Sequence, residues 1–114
     1  MDLSVETRKV DGVVVLDLSG RVTAGEAVQL FRKTVRQFID EGRRKFLVNL
    51  GGVSFIDSSG LGEFVTTYAS LQSRGGEIKL LNLKKRIKDL LQMTKLLTVF
   101  DCHDDEAAAL RSFT

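Results

Sequence analysis

The sequence predicts an α/β fold: a single domain over residues 1–114, with a mixed, mostly parallel sheet, an antiparallel edge strand, and helices packed on the sheet in the order ββαβαβαβα. Three observations carry this. Short runs rich in Val, Ile and Leu alternate with longer stretches whose apolar residues recur every three or four positions. The connections between them are short, which implies right-handed crossovers between parallel neighbours. The first two apolar runs are separated by Asp11-Gly12, a strong two-residue hairpin signal, so that pair is antiparallel.

In chain order, residues 5–9 and 13–18 are the hairpin strands. Residues 24–41 form a helix, with Val28, Phe31, Val35, Phe38 and Ile39 at helical spacing and Gly42 as its stop. Residues 45–50 hold the run Phe46-Leu47-Val48, short and apolar as expected of a strand covered on both faces. A second helix places Leu61, Phe64, Val65, Tyr68 and Leu71 on one side and ends at Gly75-Gly76. Residues 77–81 read as a strand, and Ile87, Leu90, Leu91 and the nearby Met93 mark a short helix. Residues 98–101 read as a last strand and 104–112 as a closing helix. Val15, Val48, Ile78 and Val99 are expected to point inward.

Composition excludes several function classes. With 114 residues and 43% hydrophobic content there is material for one core. The 17 basic and 15 acidic residues leave a net charge of +2, too balanced for an electrostatic nucleic-acid binder. The basic group Lys84-Lys85-Arg86 with Lys88 reads first as a solvated helix face, and otherwise as a contact for an acidic partner or a phosphate backbone. No apolar run approaches a membrane span and the first ten residues lack a signal-peptide core, so a soluble cytoplasmic protein is expected, with no membrane partner. A lone Cys102 and a lone His103 give no metal cluster, and no cofactor is expected.

The chemistry concentrates in residues 48–65, VNLGGVSFIDSSGLGEFV, where a strand enters a polar turn and leaves as an amphipathic helix. In open sheets of this class, function gathers at the carboxyl ends of the strands. The centre reads Asp57-Ser58-Ser59-Gly60-Leu61-Gly62. A helix N-terminus carries unpaired N–H groups and about half a positive charge, which favours an anion such as phosphate on Ser58 or Ser59. The plainer alternative is a capping turn, since Asp and Ser are preferred N-caps. Gly60 and Gly62 serve backbone geometry, a close approach by another protein, or both. Leu61 reads as core packing before partner contact.

These residues, preceded by a strand ending Leu18-Ser19-Gly20 and followed by GGEIKLLNLKKRIKDLLQMTKLLTVF, resemble the STAS domain family over nearly the whole chain, in particular the bacterial anti-sigma factor antagonists. The resemblance implies that Ser58, the first Ser of an Asp-Ser-(Ser or Thr)-Gly motif, is phosphorylated by a kinase that doubles as the anti-sigma factor and supplies the ATP. It implies a partner switch: the unphosphorylated antagonist captures the kinase and frees a sigma factor, the phosphorylated form lets go, and a phosphoserine phosphatase resets it. Ser59 and Ser54 are the competing hydroxyls, Ser54 being expected to be the less accessible because it lies on the apolar strand.

Family members commonly show Gly-Glu-(Leu or Ile)-Asp-x-x-Thr-Ala before the first helix, whereas this chain has Gly20-Arg21-Val22-Thr23-Ala24-Gly25-Glu26-Ala27. Thr23 reads as a helix N-cap whose capping box is completed by Glu26. Arg21 is placed to pair with an acidic partner surface, or with phosphate on Ser58 if the two loops adjoin. The partner contact is therefore expected at Gly20, Arg21, Thr23, Asp57, Ser58, Ser59, Gly60, Leu61 and Gly62.

An enzyme with a serine nucleophile is disfavoured, because G-x-S-x-G is absent and only His103 is available as an imidazole base. No catalytic residue is expected. The alternative is a STAS scaffold or ligand-binding module in a stress complex, nucleotide-binding protein or lipid-transport assembly. Gly60-x-Gly62 lacks the third glycine of a dinucleotide fingerprint, and no Gly-Lys-Ser/Thr element is present.

Overall fold

The computed structural model describes residues 3–113. Five strands form one sheet in the order β1-β2-β3-β4-β5. They are β1 (Leu3–Val10), β2 (Val13–Val22), β3 (Lys45–Ile56), β4 (Glu77–Leu81) and β5 (Asp101–His103). The helices are α1 (Glu26–Asp40), α2 (Ser58–Ser73), α3 (Lys85–Met93) and α4 (Glu106–Arg111). β1 pairs antiparallel with β2 through the Asp11-Gly12 turn, and every later pairing is parallel. Both turn residues have positive φ, as a type I′ connection requires.

Sequential strand order with right-handed crossovers puts α1, α2 and α3 on one face. Phe31 of α1, Phe64 of α2 and Ile87 of α3 join Val14, Leu16, Phe46, Val48 and Leu80 of the sheet in the larger core. No crossover constrains α4, and its Ala109 packs with Val13, Val15, Leu47 and Leu81 on the opposite face. The central strands are thus covered on both sides, which is why residues 13–16 are uninterrupted Val and Leu. Polar contacts fix α4: Lys79 Nζ donates to the Ser112 carbonyl and hydroxyl at 2.9 Å and lies 3.1 Å from Asp101. Arg8 bridges Asp17 and Glu106, each at 2.7 Å.

Four expectations need correction. The last strand is Asp101–His103 rather than 98–101, and Val99 is 38% exposed. Residues 97–99 form a turn beyond the end of α3, following Lys95, whose φ is +63°, and Phe100 is the buried residue, packed edge-on against Tyr68. The Thr23 capping box does not form: α1 begins at Glu26, its cap is Gly25 at φ +95°, and Thr23 contributes its carbonyl, which accepts from the Val28 N–H. β3 continues to Ile56, well beyond residue 50, because Gly52 stays paired with Ser19 at a close strand approach. A Cβ on Gly52 would lie 2.9 Å from the Leu18 carbonyl oxygen. Ser54 is exposed, donating to the Gly20 carbonyl at 3.3 Å, because β3 pairs with β4 only as far as Asn49.

Candidate functional site

The extra length of β2 and β3 carries both strands to the turn. The Asp57 N–H donates to the Val22 carbonyl, extending the β2–β3 pairing by one step. Asp57 then caps α2: its Oδ1 accepts the Gly60 N–H at 2.8 Å and its Oδ2 accepts the Ala24 N–H at 2.9 Å. One carboxylate therefore ties the β2–α1 loop to the mouth of α2. The sequence suggests the cap but contains no signal for the second bond, since the donor is a backbone group 33 positions away.

These N–H donors, Gly60 first and then Ala24, hold the Asp57 carboxyl below the usual carboxylate range, aided by the Ser59 N–H and the charge of Arg21. Stabilisation by a group with a lowered folded pKa is present above its unfolded pKa and is lost as pH falls through the folded one. Asp17 and Glu106, lowered mainly by Arg8, act in the same direction. Stability is therefore expected to fall below about pH 4. Asp57→Ala should cost about 1–2 kcal/mol at neutral pH. Asp57→Asn should cost less, keeping the cap but losing the acceptor for Ala24, and should flatten part of the acid limb. Denaturant melts of the three proteins at pH 3 to 7 test this; equal acid limbs would show that Asp57 does not contribute.

Ser58 and Ser59 are exposed in the first turn of α2. The two glycines behind them differ. A Cβ on Gly60 would collide with the Val22 carbonyl oxygen and lie 2.9 Å from Val22 Cγ1, so glycine is a packing requirement there. A Cβ on Gly62 would meet nothing within 4 Å, so that glycine leaves open backbone on the exposed face of the helix. Leu61 is 8% exposed and belongs to the core, in line with its place in the apolar stripe. Gly20, at φ +106°, sits at the register shift between β2 and β3. Arg21 is exposed and stacks on Phe55, its guanidinium 5.2 Å from the ring centroid. Ser59 and Gly62 open onto a groove between α1 and α2, shared with Gly25, Gln29 and Glu63. Glu63, 6% exposed, is held by Arg32 at 2.7 Å.

Phe55 and Glu63 were not legible as site residues: one sat in a strand run and the other in a helix without a charge pattern. His103 joins Asp101 at 3.0 Å and Ser112 at 3.4 Å through the same nitrogen, Nε2. A nucleophile–base–acid relay needs both ring nitrogens, and the Ser112 hydroxyl donates instead to the Ala109 carbonyl at 2.6 Å. The Cys102 thiol is pushed up to about 11, chiefly by burial, and is a poor nucleophile. No helix among the described residues is long and apolar enough to cross a membrane.

The chain is 30% identical to the anti-sigma-B factor antagonist of Bacillus subtilis, over 89% of this chain and 91% of that protein. It is 30% identical to the anti-sigma F factor antagonist of Paenibacillus polymyxa, over 96% and 94%. Among solved structures, it matches the Bacillus anti-sigma factor antagonist SpoIIAA in its unphosphorylated form with TM-score 0.79 and 25% identity, covering 95% of each chain. The phosphorylated form of SpoIIAA shares the fold at TM-score 0.76 and 24% identity, over 95% of this chain and 97% of that one. The STAS domain family model matches residues 4–109. The chain belongs to the STAS domain family.

Proposed function

We propose that this protein is an anti-sigma factor antagonist, acting in the cytoplasm, whose Ser58 is the phosphorylated switch. In its unphosphorylated form it binds an anti-sigma factor that is also its serine kinase and thereby frees a sigma factor; a phosphatase reverses the modification. The single observation that carries this is the Asp57–Ser58 turn. An exposed hydroxyl stands at the start of a 16-residue helix, beside the open backbone of Gly62 and a loop pinned to it by Asp57. The names of the relatives, and the two phosphorylation states of SpoIIAA, support the same reading.

A phosphoserine adds about 1.5 to 2 negative charges. At the mouth of α2 the helix dipole favours that charge and the side chain stands in solvent, so the domain tolerates it. In a partner interface closed over Ser58 and Gly62, the same group is bulky, hydrated and costly to desolvate. Binding and modification are therefore mutually exclusive while the fold persists.

Incubating wild type, Ser58→Ala, Ser59→Ala and Ser54→Ala with the purified anti-sigma kinase and ATP tests the assignment. Ser58→Ala should lose incorporation and the other two should retain it. Ser54 matters as a control because it is exposed. Incorporation that persists in Ser58→Ala moves the switch elsewhere.

A further inference from the structure

Arg21 and Phe55 stand directly opposite each other in the β2–β3 register, followed by the buried pair Val22 and Ile56. Strand alternation turns the first pair away from the face that carries α1 and α2. Phe55 is one of three large apolar side chains among the described residues that stand exposed, at 38%, and Asp57 follows two positions later. Among the described residues no hydrogen bond or ion pair takes up the Arg21 guanidinium, whereas Arg8 is spent on Asp17 and Glu106 and Arg32 on Glu63. The guanidinium lies over the ring face, a contact that favours the orientation in which its donors face outward.

We infer that Arg21 and Phe55 form a preorganised cationic platform at the edge of the Ser58 turn, which receives a carboxylate-bearing side chain of the partner and selects for a partner with an acidic patch there. The inference rests on the partner-switch reading above and adds the chemistry of the surface that is accepted. Arginine on an aromatic ring is a favoured interface anchor, offering a planar donor fork to a carboxylate and apolar area beside it. A second copy of this chain docked symmetrically at this point would set Arg21 against Arg21, which like charges oppose. Arg21 leans over Phe55, and its charge also reaches the Asp57 carboxylate beside Ser58.

The test is titration calorimetry of the unphosphorylated chain against the purified anti-sigma kinase at low and moderate salt. Wild type, Ser58→Asp, Arg21→Glu, Arg21→Lys and Phe55→Ala are compared, with thermal melts of each. Arg21→Glu should weaken binding at least tenfold. Arg21→Lys should fall in between, and Phe55→Ala should weaken binding severalfold, since the fork is no longer held. Binding by Arg21→Glu should be regained when the opposing acidic residue of the kinase is changed to Lys. If Arg21→Glu and Phe55→Ala bind within twofold of wild type while Ser58→Asp does not bind, the platform is wrong and the switch stands. If wild type fails to bind the kinase, both fall. The phosphorus NMR titration of the phosphoprotein supplies a second measurement. An unchanged phosphoserine pKa in Arg21→Gln supports the platform, and a raised one assigns Arg21 to the phosphate and overturns it.

Discussion

Ser58→Asp is expected to lose most of its affinity for the partner kinase while melting close to wild type, and Ser58→Ala to bind normally but no longer respond to ATP. The two halves of this result come from different environments of one atom. Within the domain, the side chain at position 58 stands in solvent at the first turn of α2, where an anion typically gains about 0.3–1 kcal/mol. Inside a closed interface an unpaired charge costs about 2–5 kcal/mol, which is roughly 30-fold to several thousand-fold in affinity. Aspartate carries less charge and fewer oxygens than phosphate, so the loss belongs at the lower end. Calorimetry gives the affinity and a thermal scan gives the stability. Wild-type affinity for Ser58→Asp would end the switch mechanism; loss of binding through unfolding would end the separation of fold from regulation.

The element order and the strand-to-helix turn at Asp57-Ser58 were legible in the sequence because both rest on local signals. The change of apolar period at the β3–α2 junction and the Asp-Ser-Ser-Gly turn are each written within a few residues. What could not be read was set by partners distant in sequence. The cap of α1 is decided by Gly25 at positive φ and by the Asp57 bond to Ala24, so the local Thr23–Glu26 pattern is overruled. Val99 and Phe100 have similar strand propensity, and the tight turn after Lys95 decides which is buried. Gly52, beyond the residues 45–50 that read as strand, is the place where β3 runs close to Leu18 and Ser19. The exposure of Ser54 and Phe55 follows from β4 stopping short, a matter of strand lengths that no window of sequence contains.

Gly60 and Gly62 differ by two positions and should give opposite results on replacement by alanine. At Gly60 the added methyl would collide with the Val22 carbonyl oxygen, which already accepts the Asp57 N–H, and would crowd Ile56 at 3.1 Å. A carbonyl held in a strand pairing cannot rotate aside, so the strain belongs at or above the upper end of the usual range for overpacking, about 3 kcal/mol or more. Alanine's better helix propensity returns about 1 kcal/mol. The net loss is about 2 kcal/mol or more, a fall in melting temperature of roughly 8 °C or more for a domain of this size. At Gly62 nothing lies in the way, so alanine collects the propensity gain and should raise stability by up to about 1 kcal/mol. If the partner closes on that bare stretch of helix, the same methyl should weaken binding. A protein that is more stable and binds less well cannot be explained by damage to the fold. Gly62→Ala that is stabilised and binds as wild type would remove Gly62 from the contact surface, and Gly60→Ala that melts with wild type would show that the β2–α2 approach relaxes more easily than its backbone contacts allow.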